Sequence, residues 1–268
     1  MEEKKMQIVW YRFRGLGLLC LCALVFFAGA YVTGHESIPA NSAAAGTQKN
    51  GAKEILFPVC SVDTNKRQAA LTFDVDMSSE KLQTILNILK QHEVKATFFV
   101  TGAWANRYPE DLKRICDAGH DIGNHSQNHK DMTSMGKKEI QQELQKLHET
   151  VFRLTGKEIK LFRAPYGSYS ETLLETVRMS GYMPIKWNID SEDWKNYGIE
   201  SIVEKTAGSP IQNGSIILVH NEADYITQAL EPLILRIRGQ GLELVPLSEM
   251  ILWSGYTVDK EGRQTKLP

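Results

Sequence analysis

The sequence predicts an α/β fold, a (β/α) barrel of about seven strands preceded by an N-terminal transmembrane or signal helix. Three observations predict it. Apolar runs of strand length alternate with helical patterns, polar residues follow the ends of five such runs, and an uncharged apolar segment lies near the N-terminus. The chain has 268 residues, of which 42% are hydrophobic, so it can form one large core or at most two domains.

The strands and helices follow one another in order along the chain. The predicted strand–helix pairs are 69–73 with 80–92, 96–100 with 109–118, 121–124 with 137–155, 161–163 with 170–180, 183–189 with 199–207, 215–219 with 223–238, and 242–246 with 247–253. Pro109 suits the first turn of a helix, and Asn213-Gly214 is a turn signal directly before the sixth strand. Such alternation predicts a mainly parallel sheet, and the number of units suggests a barrel.

The N-terminal segment predicts export. Residues 15–34 carry no charge, and the preceding residues 1–14 include Lys4, Lys5, Arg12 and Arg14. We expect 1–14 to be a cytoplasmic N-terminus and 15–34 a transmembrane or signal-anchor helix in the cell membrane, with the rest of the chain outside. The alternative is a signal peptide cleaved near residues 28–30, which would release a secreted protein.

The remaining sequence divides into a tether and one domain. Residues 35–53 are rich in Ser, Ala, Asn and Gly, which predicts a flexible linker, and residues 54–268 form the domain. Cys60 and Cys116 can pair in an oxidising compartment, but the sequence leaves open whether they are close. It also leaves the oligomeric state open.

Charged residues are balanced, with 31 Lys and Arg against 32 Asp and Glu and a formal net charge of -1. No global positive field is present to neutralise phosphates, which argues against a dedicated nucleic-acid binder. We therefore expect no nucleic-acid partner, and any polymer that the protein binds should be uncharged or of mixed charge.

Polar residues follow five of the predicted strands. They are Asp74 and Asp76 after the first, His125 and His129 after the third, residues 163–167 after the fourth, residues 190–194 after the fifth, and His220 after the sixth. Functional groups of parallel α/β folds gather at the carboxyl ends of the strands. A closed or nearly closed sheet would bring all five loops to one mouth.

Two of these positions suggest chemistry directly. His125 and His129 are four residues apart, so one helical turn or tight loop would let both imidazoles bind a single cation, although surface or capping histidines share this spacing. Asp74 follows an apolar strand, which suits a general base with a perturbed pKa, or alternatively a helix or loop cap.

In combination, the polar segments resemble a known family. Thr72-Phe73-Asp74, the His125–His129 segment, Arg163-Ala164-Pro165-Tyr166-Gly167, the Asp190–Trp194 segment and Leu218-x-His220 are similar, in order and spacing, to the five motifs of the polysaccharide deacetylases. This is the NodB-homology domain of carbohydrate esterase family four, and the resemblance spans about residues 66–252. It implies a distorted (β/α) barrel and metal-dependent removal of acetyl groups from N-acetylglucosamine or N-acetylmuramic acid in peptidoglycan or chitin-like polymers.

The resemblance also implies roles for individual residues. His125 and His129 would bind a divalent metal ion, expected to be Zn²⁺ with Co²⁺ or Mn²⁺ as alternatives, and Asp74 would be the base that accepts a proton from the attacking water. Arg163 would orient Asp74. His220 would be the general acid.

Further roles concern the acid and the substrate. Asp193 would tune His220, and the backbone N–H of Tyr166 would bind the oxyanion. Trp194 and Leu218 would contact the acetyl methyl group, although without the resemblance they suit an ordinary core equally well.

One position departs from the family. The family's first motif reads Thr-Phe-Asp-Asp-Gly and its second aspartate is a metal ligand, but Val75 stands there and Asp76 replaces the glycine. If the chain stays extended after Phe73, Asp74 and Asp76 share a face, and Asp76 can replace the missing ligand. If the chain turns at Val75, only two histidines and water remain. Variants of this motif resemble sporulation-associated deacetylase-like proteins.

Three functions remain open on the sequence alone. The first is an anchored deacetylase that acts on an amino-sugar polysaccharide such as peptidoglycan. The second, suggested by Val75, is a catalytically inactive barrel that binds glycan or a membrane partner. The third is a metal-dependent amidase acting on a non-carbohydrate substrate, because the same activation of water cleaves other amides.

Overall fold

The structure is a computed structural model that describes residues 56–268. The predicted cytoplasmic segment 1–14, the transmembrane or signal helix 15–34 and the linker 35–53 therefore lie outside the described residues. Within residues 56–268, every helix is too short or too polar to cross a membrane.

The described part of the chain contains one sheet of eleven strands. The strands are β1 (Ser61–Val62), β2 (Gln68–Val75), β3 (Thr97–Val100), β4 (Asp121–Asn124), β5 (Leu161–Phe162), β6 (Met183–Pro184), β7 (Ile189–Asp190), β8 (Ser215–His220), β9 (Glu243–Leu244), β10 (Tyr256–Val258) and β11 (Arg263–Lys266). Their order is β10-β11-β1-β8-β2-β3-β4-β5-β6, with β7 beside β8 and β9 beside β2. The pairs from β8 through β2 to β6 are all parallel, as the alternation predicts.

The segment that contains β6 and β7 makes the sheet curl round on itself. Its first part, β6, pairs with β5, and its second part, β7, pairs with β8. Between them, Ile185 forms a bridge with Val59. Strands β5 and β8 thus share one connecting segment, and the carboxyl ends of β2, β4, β5, β7 and β8 surround a common opening.

Eight α-helices occur in the described residues. They are α1 (Leu82–Gln91), α2 (Gly102–Arg107), α3 (Pro109–Asp117), α4 (Lys137–Thr155), α5 (Glu171–Met179), α6 (Ile199–Ala207), α7 (Ile226–Gly239) and α8 (Leu247–Met250). Pro109 is the first residue of α3, as expected. The Glu139 carboxylate accepts a hydrogen bond from the Gly136 N–H at the start of α4, and Gly156 ends that helix at a φ of 69°.

Alternate residues of β2 face two different cores. Leu71, Phe73 and Val75 are buried in the large cluster that packs the strands against the surrounding helices. Ala70 belongs to the second cluster, which contains the inward-facing residues of neighbouring strands. The same alternation places Asp74 on the inward side at the end of β2.

The predicted elements differ from the observed ones in a few places. The seven predicted strands correspond to β2–β9, because the fifth is interrupted and forms β6 and β7. The prediction missed α2 and the short strands β1, β10 and β11, and the helix predicted over 247–253 ends at Met250. Cys60 and Cys116 are both free thiols, so the structure does not pair them.

Candidate active site

Asp74 is a buried carboxylate that is held by Arg163. One guanidinium nitrogen of Arg163 donates to Asp74 Oδ1 at 2.7 Å, and the other donates to Thr72 Oγ1 at 2.9 Å and to the Lys186 carbonyl at 3.1 Å. The guanidinium also lies over the Phe99 ring, 4.1 Å from its centroid. Burial raises the pKa of Asp74, but the charges of Arg163, His125 and His220 and the Arg163 hydrogen bond together outweigh burial and hold this pKa below its usual value. Asp74 is therefore ionised at neutral pH.

His125 faces Asp74 and is fixed by a backbone carbonyl. Its Nδ1 lies 2.8 Å from the Arg163 carbonyl oxygen, and its Nε2 lies 3.5 Å from Asp74 Oδ2. Because a carbonyl only accepts hydrogen bonds, Nδ1 carries the proton and Nε2 keeps its lone pair. Burial lowers the pKa of His125 despite the opposing charge of Asp74, which favours the neutral ring. This is the tautomer and charge state of a metal-ligating imidazole.

His129 and Asp76 lie next to each other beside His125. The two imidazole rings have centroids 4.9 Å apart, and Asp76 Oδ2 is 3.8 Å from His129 Nδ1. Strand β2 stays extended through Val75, whose side chain is fully buried in the large core. Asp76, and not position 75, therefore brings a second carboxylate to the histidines, as the extended alternative predicts.

His220 forms a pair with Asp193. The Nδ1–H of His220 donates to Asp193 Oδ1 at 2.7 Å, and the backbone N–H of His220 donates to Oδ2 at 2.7 Å. Burial lowers the pKa of His220, but the hydrogen bond and charge of Asp193, with the charges of Asp74 and Asp190, together outweigh it, so the pKa lies above its usual value. His220, which lines the same cleft as His125, therefore favours its protonated form more than a free histidine does.

A cleft of about 590 Å³ joins these groups. It is lined by Asp74, Asp76, Met77, His125, His129, Tyr166, Trp187, Asp190, Trp194, Leu218, His220 and Glu222. Leu218 is almost fully buried at its wall, whereas Tyr166 and Trp194 are 69% and 57% exposed. These two aromatic rings offer apolar surface where a polymer could lie across the opening.

Tyr166 has an unusual backbone conformation. It lies in a short 3-10 helix, Pro165–Gly167, and its φ of 60° is in the left-handed region. Its hydroxyl donates to the His129 carbonyl at 3.3 Å, and its ring contacts the His129 ring with centroids 4.9 Å apart. A strained residue that contacts a candidate ligand is typical of a functional site.

The structure brings all ten predicted site residues to this region. Eight of them line the cleft, and the two others, Arg163 and Asp193, are fully buried behind Asp74 and His220. Sequence reasoning missed Met77, Trp187 and Glu222, which also line the cleft. Trp187 follows β6 within the interrupted strand, and that interruption carried no signal in the apolar pattern.

The donor set fits a divalent cation in its chemistry. Two imidazoles and one carboxylate are ligands that Zn²⁺ accepts, and donors of a tetrahedral site at about 2.0–2.1 Å lie about 3.3 Å from one another. The 3.8 Å between Asp76 and His129 is close to that separation. In the described residues, however, the side chains do not converge as a group of three or more metal donors.

The arrangement can perform acid–base chemistry on a neutral group. An ionised carboxylate and a proton-bearing imidazole face one cleft, and each is fixed by its own buried partner. Two titratable groups whose pKa values are displaced in opposite directions suit a base and an acid of one hydrolytic reaction. The fold and the site together define a barrel hydrolase of the acid–base type.

Comparison with known proteins identifies the family. The family model described as polysaccharide deacetylase matches residues 61–185. The peptidoglycan-N-acetylglucosamine deacetylase of Bacillus cereus is 35% identical over 190 residues, which are 69% of this chain and 69% of the relative. The peptidoglycan-N-acetylmuramic acid deacetylase PdaA of Bacillus subtilis is 31% identical over 215 residues, 77% of this chain and 80% of the relative. The chain belongs to the polysaccharide deacetylase family.

A solved structure shows that the family also includes inactive members. A CE4 family pseudoenzyme from Bacillus anthracis is 30% identical and has a TM-score of 0.70, with 74% of this chain and 70% of that chain covered. A mutant of the pseudoenzyme with restored enzymatic activity matches with the same TM-score and 31% identity. Fold similarity at this level is therefore compatible with either state of the site.

Proposed function

We propose that this protein is a hydrolase that removes N-acetyl groups from the amino sugars of peptidoglycan. One observation carries the proposal: the ionised Asp74 and the proton-bearing His220 face the same cleft, each held by a buried partner at 2.7 Å. The deacetylase names of the relatives support the substrate class. The exposed rings of Tyr166 and Trp194 suit the apolar faces of sugar units.

Asp74 acts as the general base. Its carboxylate accepts a proton from the water that attacks the acetamide carbonyl, while Arg163 holds Oδ1 and leaves Oδ2 on the His125 side. Because Arg163 is also bonded to Thr72 and Lys186, the carboxylate cannot turn away from the cleft.

The second half of the reaction belongs to His220. It donates its Nε2 proton to the leaving amine, since its Nδ1 is occupied by Asp193. Trp194 and Leu218 contact the acetyl methyl group, and the Tyr166 N–H donates to the oxyanion.

His125, His129 and Asp76 would hold a divalent cation, Zn²⁺ or alternatively Co²⁺ or Mn²⁺. When bound, such a cation polarises the acetamide carbonyl and lowers the pKa of water toward about 7. The Arg163 carbonyl supports this assignment, because it fixes the proton of His125 on Nδ1 and directs Nε2 into the cleft.

Acetate release tests the proposal. The full-length protein, supplied with Zn²⁺, Co²⁺ or Mn²⁺, is expected to release acetate from peptidoglycan or from N-acetylglucosamine oligomers. Asp74→Asn and His220→Ala should each reduce kcat by at least about 100-fold, given the usual size of acid–base contributions. Asp117→Asn, at an exposed carboxylate, is the matched control and should keep the wild-type rate. No release by the wild type beside an active deacetylase would refute the proposal.

An inactive glycan-binding barrel is the second candidate. It is favoured by Val75 at a position where the family has a ligand and by the similarity to a pseudoenzyme. Glycan binding that persists unchanged in His125→Ala and Asp74→Asn, without acetate release by the wild type, would support this candidate.

We further propose that the domain acts outside the cell, anchored to the membrane by residues 15–34. The uncharged segment and its basic N-terminal flank support this location. Protease added to intact cells should degrade the domain, and the protein should sediment with membranes. Release into the medium would favour the cleaved signal peptide instead.

Similarity of the Val75 motif to sporulation-associated proteins suggests expression during sporulation, which a transcript time course would test.

A further inference from the structure

The loop that carries both candidate metal ligands has a demanding backbone conformation. Ser126 has a φ of 70° and His129 a φ of 51°, so two residues with side chains lie in the left-handed region within four positions. Each such residue costs on the order of 1 kcal/mol and persists only where its surroundings impose it. Some other part of the protein must therefore hold the loop from Ser126 to His129.

Side chains, rather than a helix or a sheet, satisfy the amides of this loop. Asn124 Oδ1 accepts the Ser126 N–H at 2.9 Å, and Ser126 Oγ accepts the His129 N–H at 3.0 Å. The remaining two amides, of Gln127 and Asn128, both donate to one oxygen of Glu143, at 2.9 and 3.0 Å.

Glu143 is a buried carboxylate on α4 whose three bonds all go to the histidine loop. Its second oxygen accepts a hydrogen bond from Asn128 Nδ2 at 2.8 Å. The residue is only 8% exposed. Burying a carboxylate is costly, and hydrogen bonds from several N–H donors are what stabilises it. The helix thus presents a fixed anion to the middle of the loop.

The opposite side of the loop is held by the first turn of α2. The Gly102 N–H donates to the Ser126 carbonyl at 3.0 Å, and the Ala103 N–H donates to the Gln127 carbonyl at 2.9 Å. The approach is so close that a Cβ on Gly102 would lie 1.9 Å from Gln127 Oε1. The loop is therefore clamped between α2 and Glu143.

We propose that Glu143 is a positioning residue that sets the separation of His125 and His129. By accepting the Gln127 and Asn128 amides, it imposes the two left-handed residues and so orients His129 toward Asp76. Without this carboxylate, the loop amides would turn to water and the two imidazoles would no longer hold one relative geometry. The activity part of its test rests on the proposed deacetylase function, but the exchange part does not.

The test compares Glu143→Ala and Glu143→Gln with Glu149→Ala in the full-length protein. Glu149 is an exposed residue of the same helix whose carboxylate accepts a hydrogen bond from the Gln145 side chain and makes none to the loop amides, so it is the matched control. The Gln127 and Asn128 amides should exchange hydrogen at least about tenfold faster in Glu143→Ala, and kcat for acetate release should fall about 10- to 100-fold with little change in KM. Glu143→Gln keeps an acceptor oxygen and should recover most of both losses.

Several outcomes would overturn the inference. One is Glu143→Ala with wild-type exchange rates, and another is a variant with faster exchange but wild-type kcat. A third is Glu143→Gln that loses as much activity as Glu143→Ala, because an acceptor oxygen at this position would then not be what holds the loop.

Failure of the proposed function is recognised separately. If the wild type releases no acetate, the inference is tested instead by the Zn²⁺ affinity and by the hydrogen-exchange rates of the Gln127 and Asn128 amides. A drop of about tenfold in Zn²⁺ affinity that is confined to the Glu143 variants supports the inference, as does faster exchange alone if the wild type binds no Zn²⁺. Equal values in all variants overturn it.

Should Glu143→Ala fail to fold, Glu143→Asp, which keeps the charge but shortens its reach, should show the same losses.

Discussion

At the scale of single residues, His220 and Asp74 show how buried partners set opposite charge states a short distance apart. Arg163 helps to lower the pKa of Asp74, and Asp193 helps to raise the pKa of His220. Both partners are fully buried, so water screens neither interaction strongly. In the proposed reaction, catalysis therefore depends on two residues that a substrate would not touch.

Asp193→Asn is expected to shift the pH profile of kcat. A general acid works while it is protonated, so activity falls as pH rises through the raised pKa of His220. Removing the charge of Asp193 lowers that pKa, and the falling limb should move to lower pH by about one unit or more. Acetate release measured between pH 5 and 10 checks this. An unchanged limb would show that another group donates the proton.

Val75→Asp, which inspection of the family motif alone would suggest as a repair, is expected to damage the protein. The Val75 side chain is fully buried among apolar residues, so a carboxylate there would be unpaired and cost about 3–5 kcal/mol of unfolding free energy. Val75→Thr, similar in shape but uncharged, is the control and should cost less. Urea unfolding checks the stability. A Val75→Asp variant that is stable and binds Zn²⁺ more tightly would contradict the observed direction of this side chain.

At the scale of elements, the sequence predicted the strands and helices whose periodicity is long enough to recognise. The pattern placed α4 and α6 at their observed bounds. Alternation along β2 left two arrangements open, and in the structure the strand stays extended through Val75, with Asp74 and Asp76 lining the same cleft. It missed α2 because six residues make less than two turns and show no apolar period.

The supporting part of the site was much harder to predict than its reactive residues. Glu143 acts on residues 15 and 16 positions earlier in the sequence, through a contact that only the packing of α4 creates. In the sequence it is one of several glutamates on an amphipathic helix. Such contacts depend on tertiary geometry, so neither spacing nor composition can reveal them.

His120, directly before β4, is expected to make the fold sensitive to acid. Its Nδ1 accepts the Ala96 N–H at 3.2 Å, and burial lowers the pKa of His120 to about 4. This pKa lies below the unfolded value of about 6.5. The contribution of the neutral His120 to the free energy of unfolding is therefore complete above pH 6.5 and falls by about 3 kcal/mol as pH drops toward 4. Urea unfolding at pH 7 and pH 4 should show a smaller pH effect in His120→Gln. His92→Gln serves as the control, and equal pH dependence in the three proteins would contradict the prediction.

At the scale of the whole molecule, the interrupted strand explains why separated motifs meet. Strands β5 and β8 are brought together because β6 and β7 are parts of one segment that pairs with each in turn. Residues after β2, β4, β5, β7 and β8 consequently share one opening. The candidate cation ligands come from two of these loops, Asp76 after β2 and the histidines after β4.

Zn²⁺ is therefore expected to stabilise the folded protein as a whole. A ligand that binds only the folded state raises its stability by about 2.7 kcal/mol at 100 times the Kd, so Tm should rise with added Zn²⁺ and fall again with a chelator. His129→Ala and Asp76→Ala should each reduce the rise, because the binding loops after β4 and β2 would then lose one of their donors. Cys116→Ser, at a free thiol, controls for Zn²⁺ binding elsewhere. A Tm that does not respond to Zn²⁺ in the wild type, measured by calorimetry, would contradict the assignment of these three ligands and would favour the inactive barrel.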